Sequence, residues 1–93
     1  MKFPFARFHV EGRSMLPAFQ PGDRVFVFRW GKIRPGDVIV FYREGIKLIK
    51  RAISKTNSGR WSVKGDNHFA SSDSADFGEI SEAEIVGKVL CTY

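Results

Sequence analysis

Two Pro-Gly-Asp turns, Pro21-Gly22-Asp23 and Pro35-Gly36-Asp37, constrain this chain more than any other feature. Proline presets the first central position of such a turn, and glycine takes the positive φ of the second. Each turn opens directly onto a β-branched and aromatic run: Arg24-Val25-Phe26-Val27-Phe28-Arg29-Trp30 after the first, Val38-Ile39-Val40-Phe41-Tyr42 after the second. Both runs read as strands. The second is apolar at every position and predicts a central strand covered on both faces.

The same punctuation continues along the chain. Arg7 to Val10 predicts a short strand, and Glu44-Gly45 a hairpin turn into a strand over Ile46 to Lys55. Asn57-Ser58-Gly59 turns into Trp61 to Lys64, Gly65 to Gly78 is a polar loop, and Val86 to Thr92 closes the chain as a strand. Ser81 to Ile85 predicts one helical turn, capped by Ser81 with Glu84 three residues on. Short strands at this spacing predict a mainly β, compact antiparallel barrel-like domain with one or two helical turns. With 93 residues, 43% of them hydrophobic, the chain is expected to be one domain spanning residues 1–93.

The strand over Ile46 to Lys55 holds an anomaly. Ile46, Leu48, Lys50, Ala52 and Ser54 share one face, so Lys50 is the single charge on an apolar or small surface. Lys47, Arg51 and Lys55 fall on the opposite face with Ile49 and Ile53, and that face is expected to be amphipathic and partly wet. An ammonium in apolar surroundings loses hydration, which favours the neutral amine. Such an amine is a competent general base and can activate a serine hydroxyl. The structural alternative is a lysine that snorkels its charged end to water from the edge of the face.

Composition narrows the rest. One cysteine, Cys91, excludes an intrachain disulfide, and His9 and His68 complete no ligand set, so neither metal nor cofactor is expected. No apolar run approaches the about 20 residues of a membrane span, and Met1 to Val10 lacks a signal-peptide core, so a soluble cytoplasmic protein is expected. The formal net charge of +5 comes from scattered Lys and Arg, not a stripe. That pattern weakens a nucleic-acid partner.

Five segments in order resemble the conserved boxes of the type I signal peptidase family of serine proteases. They are Ser14-Met15-x-Pro17; Gly22-Asp23-x-Val25-x-Val27; Pro35-Gly36-Asp37-Val38-Ile39-Val40-Phe41; Lys50-Arg51; and Gly65-Asp66-Asn67 with Ser71-x-Asp73-Ser74. The likeness covers about Val10 to Val89. It implies that Ser14 is the nucleophile and Lys50 the general base, with Ser71 orienting the amine. Asp66, Asn67 and Asp73 would shape the neighbouring loop, Met15 and Pro17 the nucleophile loop and substrate cleft, and the Ser14 N–H would supply an oxyanion donor. The partner implied is a protein precursor bound as an extended peptide.

Two positions depart from that pattern: Gly12 stands where many members carry an oxyanion-hole serine, and Ala75 follows Asp73-Ser74 in place of arginine. The family's membrane anchor and large extra β domain are not found in this sequence. Among small members, Gly65-Asp66-Asn67-His68-Phe69-Ala70-Ser71-Ser72-Asp73-Ser74 is similar to the signature of proteases that mature nickel-type superoxide dismutase. A self-cleaving repressor-type domain would share the chemistry, but no Ala-Gly or Cys-Gly cleavage dipeptide and no helical N-terminal domain is present. A barrel that stacks single-stranded nucleic acid on Phe26, Phe28, Trp30, Phe41 and Trp61 is the non-enzymatic alternative.

Overall fold

The computed structural model describes residues 3–67 and 78–93. Six strands, β1 (Phe5–His9), β2 (Arg24–Phe28), β3 (Val38–Arg43), β4 (Ile46–Lys55), β5 (Trp61–Lys64) and β6 (Ile85–Thr92), form one sheet in the order β1-β2-β6-β3-β4-β5. Every pairing is antiparallel. The helical content among the described residues is a 3₁₀ turn, Glu82–Glu84, where the Ser81 N–H donates to Glu84 Oε1 at 3.0 Å.

The turns behave as their chemistry requires. Gly22 and Gly36 take φ of 91° and 96°. In each Pro-Gly-Asp turn the aspartate Oδ2 accepts the backbone N–H three residues earlier, Asp23 from Gln20 and Asp37 from Arg34, both at 2.8 Å. Glu44 and Gly45 both have positive φ, 53° and 80°, so a two-residue turn with the twist of its strands joins β3 to β4.

β3 sits between β6 and β4 and is buried on both faces. Val38 and Val40 enter a cluster with Val10, Met15, Val25, Val27 and Ile49. Ile39 and Phe41 enter a second cluster with Ala52, Trp61, Val63 and Ile80. This double covering accounts for the mixed face of β4 opposite Lys50. The face opposite Lys50 is wet at Lys47, Ile53 and Lys55, but Ile49 on that face is 4% exposed. Ile49 belongs to the first cluster and Ala52 to the second, so mid-β4 contributes to both.

β1 begins at Phe5, earlier than the alternation suggested, because Phe5 pairs with Phe28 and their rings lie 5.5 Å apart. Two strand edges are under-paired among the described residues. Among those residues β1 pairs with β2 alone. β4 pairs with β3 over Ile46 to Arg51 but with β5 only from Arg51 onward. Among the described residues, Ile46 to Lys50 therefore have a sheet neighbour on one side only.

Candidate active site

Lys50 is 4% exposed and is the buried charged residue among those described. It stands opposite Ile39 on β3, with the wholly buried Ala52 beyond it on the same face. Burying a lysine is costly and rare in ordinary cores. The snorkelling alternative does not describe this side chain.

Ser14 lies on the loop between β1 and β2, half-buried. Two core residues bracket that loop. Val10 N–H donates to the Asp23 carbonyl and Val10 C=O accepts from the Gly22 N–H, each at 2.8 Å. Met15 is fully buried in the first cluster, and its carbonyl accepts the Phe19 N–H at 2.9 Å. Ser14 is thus one bond from a core anchor. Met15 lies inside the core and not on the cleft wall, so its part is to hold the loop.

Residues 65–67 bring a third element to the loop. The Asn67 N–H donates to the Ser14 carbonyl at 2.8 Å, and Asn67 Nδ2 donates to the Arg13 carbonyl at 2.9 Å. Its neighbour Asp66 receives a two-pronged contact from Arg51: Nε to Oδ1 at 2.9 Å and Nη2 to Oδ2 at 2.7 Å. Arg51 Nη1 also donates to the Gly36 carbonyl at 2.7 Å. The hydrogen bond with Asp66 pushes the Arg51 pKa up against the opposing effect of burial. Arg51, next to Lys50 on β4, therefore ties the Lys50 strand, the second Pro-Gly-Asp turn and the Ser14 loop together. Sequence reading gave Arg51 no role of its own, although it stands in the Lys50-Arg51 box.

Ser14 and Lys50 line one cleft of about 450 Å³. Its walls are Arg7, Phe8 and His9 from β1 and Ile46 to Ile49 from β4, with Glu11 near the Ser14 loop. The cleft runs between the two under-paired strand edges. A second hollow of about 420 Å³, beside Trp30 and the Lys55–Glu82 ion pair, contains neither residue.

The Peptidase S24-like family profile matches residues 5–90. The chain belongs to the Peptidase S24-like family. It is also similar to mitochondrial inner membrane protease subunit 2 of Schizosaccharomyces pombe, 34% identical over an alignment of 108 residues that covers 87% of this chain. The chain spans 60% of that protein's length. The resemblance drawn from the five boxes is met at the level of a peptidase family with a membrane-protease relative, and neither comparison concerns superoxide dismutase.

The remaining expected residues of this S24-like chain fall as follows. Gly12, with φ of 72°, and Pro17 are exposed and do not line the cleft. Ser71 and Asp73 lie outside the described residues, as does most of the Gly65 to Ser74 signature. Among the described residues no group of His, Cys, Asp or Glu is arranged to hold a metal, and no helix is long and apolar enough to cross a membrane. Phe41 and Trp61, two of the aromatics a nucleic-acid platform would need, are core residues.

The Arg51–Asp66 tie yields a prediction. Asp66→Ala should leave the core intact but loosen the Ser14 loop, lowering kcat by about 10²-fold, the scale of a 1 Å misplacement. Peptide-cleavage kinetics beside thermal unfolding check this: the fall in kcat should far exceed what the change in Tm explains.

Proposed function

We propose that this chain is a serine endopeptidase in which Ser14 is the nucleophile and Lys50 the general base, acting on a protein precursor. The observation that carries the reading is the pairing, in one cleft, of a buried lysine with a serine on an anchored loop. Withdrawing a lysine from water is costly, and perturbed titratable groups of this kind cluster at functional sites. As a neutral amine it has a use, because a serine hydroxyl is a weak nucleophile until a base takes its proton.

In this mechanism the Lys50 amine accepts the Ser14 proton as Oγ attacks the scissile carbonyl. The resulting ammonium donates that proton to the leaving amine, and the acyl group remains on Ser14. Water then gives a proton to Lys50, attacks the acyl carbon, and Ser14 leaves with its proton restored. The developing oxyanion is assigned to the Ser14 N–H, which bonds no acceptor among the described residues. With glycine at position 12 no hydroxyl is available there as a second donor. Ser71 would orient the amine, with Asp73 shaping its loop.

The substrate is read as an extended segment lying between the open edges of β1 and β4, where main-chain hydrogen bonds replace missing sheet neighbours. The substrate is assigned as the precursor of a nickel-type superoxide dismutase in the cytoplasm, by the likeness of the Gly65 to Ser74 segment. Its N-terminal extension would be removed, and any nickel would belong to the mature substrate.

Co-expression of the precursor with the wild-type chain, followed by N-terminal sequencing, tests both parts. The expected result is one trimmed terminus with wild type and none with Ser14→Ala. An untrimmed precursor beside active cleavage of other peptides would reject the substrate but leave the dyad standing.

A further inference from the structure

The cleft does not end at β1. Arg7, Phe8 and His9 line a second hollow of about 360 Å³, whose other walls are Arg24 and Tyr93. The sheet register explains the junction. His9 stands opposite Arg24 and Arg7 opposite Phe26, so the three basic side chains cluster at the end of β1 that leads into the Ser14 loop.

Arg24 is held in place. Its guanidinium lies 5.3 Å from the Tyr93 ring, which stacks on Phe26 at 4.3 Å. A guanidinium ordered on an aromatic face loses less freedom when it meets a carboxylate than one swinging in water. Among the described residues neither Arg7 nor Arg24 has an ion-pair partner, whereas Arg43 and Arg51 each hold a carboxylate. Along the joined trough Lys47 adds a further positive charge, and Glu11 is the acid. An extended peptide that runs along β1 in the cleft meets Arg7 and His9 directly, with Arg24 in the adjoining hollow, within a few residues of Ser14, because each residue advances it only about 3.3 Å.

We propose that Arg7 and Arg24, with His9 between them, extend the cleft into a subsite that selects substrates carrying an Asp or Glu side chain on one side of the scissile bond. This rests on the proteolytic reading above and adds a charge preference to it. The arginines are specificity-determining residues; they play no part in proton transfer.

Cleavage-site profiling on a proteome-derived peptide library, with Ser14→Ala as background, provides the test. The wild-type chain should enrich Asp and Glu at a fixed position within about five residues of the cut. For the best peptide, exchanging that Glu for Gln should lower kcat/KM by up to about fivefold per arginine involved, an effect that shrinks with added salt. Arg7→Gln with Arg24→Gln should erase the preference, Arg7→Glu with Arg24→Glu should turn it toward Lys and Arg, and Arg7→Lys with Arg24→Lys should keep its sign. Cleavage with no acidic enrichment, or enrichment that survives both Gln and Glu exchanges, overturns the subsite alone. No cleavage above the Ser14→Ala background overturns the proteolytic reading together with it. Circular dichroism on each variant separates lost selectivity from lost fold.

Discussion

A Lys50→Met variant should fold as well as the wild-type chain and cleave nothing. Methionine matches the length of the lysine stem and carries no amine whose hydration is lost on folding, and exchanging a buried ionisable group for apolar volume is often neutral or stabilising. The residue it replaces is 4% exposed, between Ile49 and Ala52, both also buried. Thermal unfolding should therefore give a Tm equal to or above that of wild type. Catalysis should behave in the opposite way. Without a base, Ser14 keeps its proton, and kcat should fall by roughly 10⁴-fold or more, the range seen when one member of a nucleophile–base set is deleted. The wild-type rate should also climb with pH as the amine gives up its proton, then level off. A rate flat through the acidic range would contradict an amine base. Retained cleavage by Lys50→Met, in a sample free of contaminating protease, would refute the dyad.

That outcome would test a role that alternation suggested and the resemblance of the five boxes assigned. Lys50 stood out because residues two apart share a strand face, and its face was otherwise apolar or small. The turns were legible for a similar reason: Pro, Gly and Asp each have one backbone or side-chain property that the turn uses, and Gly22, Gly36, Asp23 and Asp37 all use it. What stayed hidden depends on register and on layers. Which residues of the amphipathic face are buried could not be read, because alternation along one strand cannot say that both sides of the sheet are covered at Ile49. The Arg51–Asp66 contact was equally invisible. It exists because the β4–β5 register sets Arg51 opposite Lys64, which brings the following loop within reach of the guanidinium. Nor could spacing reveal that Phe8 and Lys50 border one cleft, since strands β1 and β4 meet only through the fold.

Met15→Ala should produce a large loss of stability together with a loss of turnover that stability does not explain. Met15 is wholly buried among Val10, Val25, Val27, Val38, Val40 and Ile49. Truncating a buried methionine to alanine costs about 2–5 kcal/mol through lost transfer energy and the cavity left behind. Against a total near 5–15 kcal/mol for a small domain, that is a substantial fraction. The catalytic consequence follows from covalent adjacency. Ser14 precedes Met15, and its own carbonyl is held by the Asn67 N–H at 2.8 Å. With the anchor gone, that hydrogen bond and the Asn67 Nδ2 contact to Arg13 must hold the loop unaided. Assayed well below its lowered Tm, the variant should still show a reduced kcat, whereas Met15→Leu, which keeps the volume, should recover most of both properties at a cost below about 1.5 kcal/mol. A Met15→Ala protein with unchanged kcat at a temperature where it is fully folded would show that the loop does not depend on its core anchor. The position of Ser14 would then rest on the contacts from Asn67.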